Sequence, residues 1–264
     1  MNFIELYLLG GLIVAVFMTV IWLVSLVLKN SSIVDIFWGP GFVLLAWLFF
    51  YLTPQVDWQR KLLMVIPVSI WGLRLSFYIL KRNWGKAEDF RYRKWREEAG
   101  DKWGWLSLFR VFLLQGLIMW VISIPLLAAQ AAGAQPALAW LSIPAVIVWA
   151  VGFFFEAVGD WQMMRFKADP TNAGRVMKRG LWSYTRHPNY FGDAVQWWGF
   201  FLLAMVSGGW WTIYSPLLMT FFLLRVSGVT LLEKTLKETR PGYAEYIRTT
   251  SAFVPWFPTR NDML

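Results

Sequence analysis

Long apolar runs separated by shorter polar segments dominate the pattern of this chain. The runs cover residues 3–28, 33–52, 61–80, 108–130, 138–159, 194–207 and 210–229. About 20 helical residues cross a hydrocarbon core of ~30 Å, so the pattern is typical of membrane-spanning helices. It predicts an all-α integral membrane protein of about seven transmembrane helices, with a tight hairpin at residues 207–209 between the last two.

Basic residues are concentrated in two of the polar segments, residues 81–110 and 165–193, whereas residues 131–137 and 207–209 carry no charge. Cytoplasmic loops are enriched in lysine and arginine, which places the N-terminus outside and the C-terminus in the cytoplasm. Only residues 55–61, with Arg60 and Lys61, depart from this pattern. The net charge of +9 is therefore explained by membrane orientation and contact with anionic lipid rather than by nucleic-acid binding.

The amino-acid composition excludes several kinds of catalytic and metal-binding site. Hydrophobic residues make up 58% of the chain, and it has no cysteine and one histidine. Disulfides, a thiolate nucleophile and a cysteine-based metal site are excluded, and we expect no metal. The first 11 residues lack a basic region and a cleavage site, so the first run is expected to be a retained helix. We expect residues 1–264 to form a single transmembrane domain.

Charged residues inside or at the ends of the apolar runs are costly unless they pair or face water, and five of them are candidates for a functional site. They are Asp35, Arg74, Glu156, Asp160 and Arg225. Glu156 and Asp160 are four residues apart and share a helix face. One interpretation is that the arginines neutralise these acids, for instance Arg74 paired with Asp35. The other is that the charged groups belong to a functional site.

The segment GLWSYTRHPNYFGDAVQWWG, residues 180–199, is the most informative part of the chain. Arg186, His187, Asn189 and Tyr190 offer phosphate-binding charge, hydrogen bonds and a ring for stacking. The helix expected to begin near Asn189 directs its positive end to the cytoplasmic surface, which suits an anionic group. The segment therefore indicates a nucleotide site, although positive-inside charge and an interfacial tyrosine would explain it without one.

Five further motifs accompany residues 180–199: Gly159-Asp160-Trp161-Gln162, Val34-Asp35-Ile36-Phe37-Trp38-Gly39, Glu88-Asp89-Phe90-Arg91-Tyr92-Arg93, Leu231-Leu232-Glu233-Lys234 and Pro241-Gly242-Tyr243. Together these motifs resemble the bacterial branch of the steroid 5-alpha-reductase-like family, known as DUF1295. The shorter RHPxYxG pattern is shared with isoprenylcysteine and phospholipid methyltransferases and with sterol reductases.

The resemblance implies a bacterial inner-membrane enzyme in which NADPH enters from the cytoplasm and a hydrophobic enone enters from the bilayer. The cofactor site would be formed mainly by residues 156–246. The family's nucleotide contacts match Arg74, Tyr78, Glu156, Asp160, Arg175, Asn189, Asp193 and Trp197, and neighbouring candidates are Arg165, Arg179, Tyr184, Arg186, His187, Tyr190, Arg225 and Glu233. We expect Arg175 and Asn189 to lie in a polar junction between loop and helix rather than among packed side chains.

The sequence departs from the steroid enzymes at the proton donor. Trp71 stands where the family has a tyrosine, and the family's glutamate is absent. Asp35, Tyr92 or His187 would therefore supply the proton. The expected reaction is reduction of a carbon–carbon double bond conjugated to a carbonyl on a steroid- or isoprenoid-like substrate. The alternatives are an S-adenosylmethionine-dependent methyltransferase of a lipid or prenylated substrate, using Glu233 at its cofactor, and a non-enzymatic lipid-binding protein.

Overall fold

The computed structural model describes residues 1–226 and 229–259. The structure is 81% helical, and within the described residues its strand-like pairing is a single bridge between Thr185 and Ser251. The all-α expectation is therefore confirmed.

Twelve α-helices are described in these residues. They are α1 Phe3–Leu28, α2 Trp38–Leu52, α3 Trp58–Asn83, α4 Phe90–Ala99, α5 Trp103–Ser107, α6 Leu114–Ile122, α7 Ile124–Ala131, α8 Ser142–Ala168, α9 Pro188–Val206, α10 Tyr214–Phe221, α11 Val229–Thr239 and α12 Tyr243–Thr249. Short 3₁₀ segments include Ser31–Phe37, Pro136–Leu141 and Gly180–Ser183, and π-helical turns occur at Leu108–Leu113 and Phe222–Val226.

Five helical stretches in the described residues are long and apolar enough to cross a membrane. They are Phe3–Leu28, Ser31–Leu52, Trp58–Asn83, Phe90–Ala131 and Pro136–Ala168. These stretches agree with a membrane protein. The sixth and seventh predicted spans correspond to α9 and to α10 with its π-helical turn, and the count of seven and the orientation stay predictions.

Residues 81–110 were expected to form a loop, and this was wrong for most of the segment. The Asp89 side chain accepts a hydrogen bond from Arg91 N at 3.0 Å and caps α4. Helix α5 follows after one 3₁₀ turn. A capping carboxylate satisfies a backbone donor at the start of a helix, which allows a charged segment to become helical.

The chain divides into two compact units, Met1–Ala139 with Leu203–Thr212 and Trp140–Leu202 with Ile213–Leu264. In the first unit, α2 and α3 approach closely at Gly39 and Gly72. A Cβ at Gly39 would lie 2.6 Å from the Gly72 carbonyl carbon. Phe42, Phe49 and Trp71 are buried in this unit.

The two basic residues that departed from the predicted charge pattern hold backbone carbonyls in the first unit. Lys61 is buried, and its Nζ donates to Phe50 O at 2.7 Å and Thr53 O at 2.8 Å at the C-terminal end of α2. Arg60 donates to Ala132 O at 3.0 Å and to Ser207 Oγ. Cations are favourable at helix C-termini because they satisfy the last carbonyls. These two charges have a structural role.

In the second unit, α8 and α9 pack with their backbones in near contact. A Cβ at Gly152 would lie 2.6 Å from Gln196 N, and one at Gly199 would lie 2.8 Å from Trp149 N. Gly192 on α9 is equally restricted, since its Cβ would collide with the Glu156 backbone. This close packing places the polar side chains of the two helices against each other.

Candidate functional site

A hydrogen-bonded cluster in the first unit is centred on Asp35 and Tyr92. Asp35 lies in the 3₁₀ segment before α2, and Tyr92 lies on α4. The Tyr92 hydroxyl donates to Asp35 Oδ1 at 2.8 Å, and Gln115 Nε2 donates to the same hydroxyl oxygen at 3.1 Å. Trp38 Nε1 donates to Gln115 Oε1 at 2.6 Å. A carboxyl and a phenol so joined can pass a proton between them.

The charge beside Asp35 comes from Arg91. Its Nη2 lies 3.5 Å from Asp35 Oδ2, and its Nε lies 3.0 Å from Asp89 Oδ1. Burial alone would raise the pKa of the Asp89 carboxyl, but the hydrogen bonds from Arg91 outweigh it and lower that pKa below its usual range. The suggested pairing of Asp35 with Arg74 was wrong, since the cation in salt-bridge contact with Asp35 is Arg91.

The Asp35 side chain is 22% exposed, whereas Tyr92 is buried. The carboxyl therefore forms the accessible end of the pair. Sequence reasoning named both residues but missed Gln115 and Trp38, which hold them. An amide on an apolar helix was the available signal, because a buried amide needs hydrogen-bond partners.

A second polar group in the first unit secures the start of α4. Arg96 forms a bidentate pair with Glu88 at 2.9 and 2.8 Å. Glu88 Oε1 also accepts from Ser31 N at 2.5 Å. These bonds tie the segment before α4 to the segment that carries Asp35, so they position the Asp35–Tyr92 pair.

Arg74 and Tyr78, the two predicted nucleotide contacts on α3, lie near each other. The Arg74 guanidinium carbon is 6.0 Å from the centre of the Tyr78 ring, and that of Arg82 is 5.8 Å from the same ring. A ring with cations this close is a cation–π arrangement. Arg82 is exposed, so this end of α3 carries positive charge at its surface.

In the second unit, two carboxylates on α8 meet two amides on α9. Gln196 Nε2 donates to Glu156 Oε2 at 2.5 Å, and Asn189 Nδ2 donates to Asp160 Oδ1 at 3.1 Å. Glu156 and Asp160 are each 3% exposed. The prediction that they share one helix face is confirmed, and Gln196 is a partner that sequence reasoning missed.

Asn189 differs from its expected environment. It is half-buried, its side chain bonds the buried Asp160, and its Oδ1 accepts from Tyr190 N at 3.1 Å. Asn189 lies in the first turn of α9, at the expected junction between loop and helix. The expectation that it would lie outside packed side chains was wrong, because the close approach of α8 and α9 brings it against a carboxylate. Arg175 is exposed, as expected, but it lies between two 3₁₀ segments and not beside an α-helix.

A salt bridge and hydrogen bonds that meet at Glu233 join Arg186, His187 and Glu233 in one cluster. Glu233 Oε1 accepts from Arg186 Nε at 2.7 Å and lies 3.2 Å from His187 Nε2. Arg186 Nη1 also donates to Ile247 O at 3.0 Å and to Thr250 O. Burial would raise the pKa of Glu233, but the hydrogen bonds from His187 and Arg186 outweigh it and lower that pKa to about 2. Arg186 is thus bonded chiefly to the protein itself.

Aromatic groups surround this cluster. The Tyr190 ring stacks on His187 with centres 5.6 Å apart. Burial, followed by the charge of Glu233, raises the pKa of the Tyr243 hydroxyl to about 12. The Tyr246 hydroxyl donates to Trp182 O, and burial raises its pKa as well. Both tyrosines therefore stay neutral, and the Tyr246 hydroxyl acts as a hydrogen-bond donor.

The remaining predicted contacts lie on α8, α9 and the segments after them. Exposed residues among them are Arg165, Arg175, Arg179, Tyr184 and Arg225, whereas Asp193 is half-buried and Trp197 is buried. Arg165 lies over the Trp161 ring, 5.1 Å from its centre. Within residues 1–226 and 229–259, no three histidine or acidic side chains lie close enough together to hold a metal ion.

Comparison with known proteins identifies the family. The model of DUF1295, a protein family of unknown function, matches residues 21–250, so the chain belongs to this family. The chain is 27% identical to the uncharacterised protein C594.04c of Schizosaccharomyces pombe, over 94% of this chain and 79% of the relative.

A second, shorter match is to a protein whose name states an activity. The chain is 38% identical over 77 residues to a protein named "Probable O-methyltransferase ustE" of Ustilaginoidea virens, which covers 29% of this chain and 25% of the relative. No solved structure matches the chain.

Proposed function

We propose that this member of the DUF1295 family is a membrane-embedded, NADPH-dependent reductase of carbon–carbon double bonds conjugated to a carbonyl in hydrophobic molecules. The observation that carries the proposal is the hydrogen bond of 2.8 Å between Tyr92 and Asp35. Reduction of an enone needs a proton as well as a hydride, and this pair is suited to supply it. The proposal also places the protein in the bacterial inner membrane.

The pair would compensate for the missing tyrosine at position 71. Trp71 has no transferable proton, and it is buried with its ring 5.7 Å from that of Phe42. Tyr92 offers the phenol that the family's tyrosine would have given, from α4 instead of α3. Asp35 and Gln115 hold this phenol at both sides. The accessible Asp35 carboxyl, held by this phenol, would then face the substrate oxygen and stabilise the negative charge that develops there.

The residues of the second unit fit NADPH on chemical grounds. Arg165, Arg175 and Arg179 are exposed, and guanidinium groups bind phosphates in bidentate fashion. These three arginines would hold the phosphates, including the 2′-phosphate that distinguishes NADPH from NADH. When bound, NADPH would supply the hydride that adds to the β-carbon of the enone. The proton from Asp35 and Tyr92 would complete the saturated product.

Methyl transfer is the second candidate, because the match to the fungal protein named as an O-methyltransferase favours it. Such an enzyme would bind S-adenosylmethionine and would need no contact for a 2′-phosphate. The Asp35–Tyr92 pair would then act as a base or a hydrogen-bonding group for the accepting oxygen.

The test combines cofactor binding with turnover. Purified protein in lipid nanodiscs is titrated with NADPH, NADH and S-adenosylmethionine, and NADPH oxidation is followed with a series of hydrophobic enones. We expect binding of NADPH in preference to the other two. Asp35→Asn and Tyr92→Phe should keep that affinity and lose turnover by about 10²-fold, as is common when a general acid is removed.

Glu98→Gln is the matched control, because Glu98 is an exposed carboxylate on α4 with a long contact of 3.9 Å to Lys94. It should leave both properties unchanged. If the protein binds S-adenosylmethionine and does not bind NADPH, the reductase proposal is wrong and the methyltransferase proposal takes its place. If both Asp35→Asn and Tyr92→Phe turn over at the wild-type rate, the Asp35–Tyr92 pair is not the proton donor.

A further inference from the structure

The last described residues of the chain form an exposed apolar segment. Residues 253–258 have the sequence FVPWFP, and they are called the tail anchor below. Val254, Trp256 and Phe257 are 60%, 71% and 77% exposed. Phe253 and Pro255 are half-buried. A cluster of exposed aromatic and apolar side chains such as this one marks an interaction surface.

The tail anchor is fixed to the rest of the second unit by its backbone. Trp256 N donates to Tyr184 O at 2.9 Å, and Phe253 O accepts from Thr185 Oγ1 at 2.8 Å. The Phe257 ring lies 6.1 Å from that of Tyr184. The backbone is thus held while the large side chains of Trp256 and Phe257 project outward.

These contacts place the tail anchor at the end of a membrane-spanning helix. Leu181 N donates to Gln162 Oε1, and Trp182 Nε1 donates to Gly159 O, both at 3.0 Å. Residues 181–185 therefore connect the tail anchor to residues 159–162 of α8. Helix α8 begins at Ser142, so the ~20 residues that cross a hydrocarbon core end near Trp161.

Trp161 and Arg165 have the features of an interface at this level. Trp161 is 49% exposed, and the Arg165 guanidinium lies over its ring. Tryptophan is enriched where hydrocarbon meets headgroups, and arginine extends from there to the aqueous side.

We propose that the tail anchor inserts Trp256 and Phe257 into the headgroup region of the bilayer on the side where α8 ends. The occupant of this surface is lipid. Because Trp256 and Phe253 bond the segment that carries Tyr184 and Thr185, insertion holds the Arg186–His187–Glu233 cluster at a fixed height relative to the membrane. This inference does not depend on the reaction proposed above.

The absence of cysteine from the chain allows a direct test with single labels. Trp256→Cys and Phe257→Cys are labelled with a fluorophore sensitive to polarity and reconstituted in phosphatidylcholine and phosphatidylglycerol vesicles. Ala173→Cys is the control, because Ala173 is small, exposed and lies in the polar turn after α8. Thermal unfolding identical to wild type shows that each labelled variant has kept its fold.

We expect the labels at positions 256 and 257 to emit at shorter wavelength than the label at position 173. Phosphatidylcholine brominated on its acyl chains should quench them strongly, and aqueous iodide should quench them weakly. The control should respond in the opposite way. Iodide quenching equal to that of the control would overturn the proposal, and so would protection from both quenchers, which would indicate that protein covers the segment.

Discussion

Glu233 is held between Arg186 and His187, and this position predicts a pH dependence of stability. Its pKa is about 2 in the folded protein, against an ordinary value of 4.5. A carboxyl with a lowered pKa stabilises the folded state above its unfolded pKa, and that contribution is lost as the pH falls from 4.5 to 2. After allowance for solvent screening, we expect this carboxylate to contribute about 1–2 kcal/mol to the free energy of unfolding at neutral pH.

Glu233→Gln should therefore lower the free energy of unfolding at pH 7 and flatten its decline between pH 4.5 and pH 2. Thermal or denaturant unfolding across this pH range measures both effects. Glu245→Gln is the control, because Glu245 forms an exposed pair with Lys178 at 2.9 Å, and it should have little effect at any pH. A variant as stable as wild type at pH 7 would contradict the stabilising role of the cluster.

Arg175 and Asn189, both predicted nucleotide contacts, should respond differently to substitution by alanine. Arg175 is exposed, so Arg175→Ala should weaken NADPH binding by about 1.5–3 kcal/mol and leave thermal stability unchanged. Asn189→Ala removes the donor that bonds the buried Asp160, so it should lower stability as well.

Titration with NADPH and thermal unfolding of the same samples distinguish these outcomes. Arg93→Ala removes an exposed arginine from α4 and serves as the charge control. If Arg175→Ala binds NADPH with wild-type affinity, the prediction that this arginine contacts the nucleotide is wrong.

Asp35 and Tyr92 could each be named as candidate site residues from the sequence, but their hydrogen-bond partners could not. Asp35 stands out as a charge beside an apolar run, and Tyr92, 57 residues away, was named from the family resemblance of residues 88–93. Their contact depends on α4, a helix formed by a segment rich in charge, which hydropathy alone assigns to a loop. Lys61 was missed as a structural residue for a related reason, since the carbonyls that it binds have no signature in the sequence.

At the scale of elements, the contact between α8 and α9 should tolerate no side chain at Gly192. An added Cβ would collide with the Glu156 backbone. Overpacking of a tight contact costs ~1–3 kcal/mol and would also move Glu156 away from Gln196. Gly192→Ala should therefore lower the melting temperature in detergent or nanodiscs.

Gly104→Ala is the matched control, because Gly104 lies in α5 and an added Cβ would meet no atom within 4 Å. In a helix, alanine is favoured over glycine, so this variant should be as stable as wild type or more stable. Equal melting temperatures for the two variants would show that the helices can separate to accept the methyl group.

Helix boundaries were predicted well where the apolar run coincides with capping signals. Helix α1 spans Phe3–Leu28 as expected, with a capping box formed by Asn2 and Glu5. Helix α3 extends beyond the predicted 61–80, because Asp57 caps it and its polar ends remain helical. The 3₁₀ and π-helical turns could not be predicted, since hydropathy does not distinguish helical pitch.

At the scale of the whole molecule, the charge pattern predicts the orientation in the membrane. Reporter fusions after Lys86 and Lys178 should be cytoplasmic, and fusions within residues 133–136 should be periplasmic. The exception at residues 55–61 no longer weakens this prediction, because Arg60 and Lys61 bind backbone carbonyls. A periplasmic result for the Lys178 fusion would contradict both the orientation and a cofactor that enters from the cytoplasm.

The bonds of Arg186 and Thr185 to the C-terminal segment have a consequence for biosynthesis. Thr185 and its acceptor Phe253 are 68 residues apart, and Arg186 shares its guanidinium with carbonyls of Ile247 and Thr250. At ~5–20 residues per second, the ribosome needs about 3–14 s to reach Phe253 after Thr185. Until Glu233 and these carbonyls have been synthesised, the Arg186 guanidinium lacks its partners and must be solvated by water or held by a chaperone. A nascent chain arrested before Ile247 should therefore leave Arg186 accessible to arginine-specific proteases that the finished protein resists.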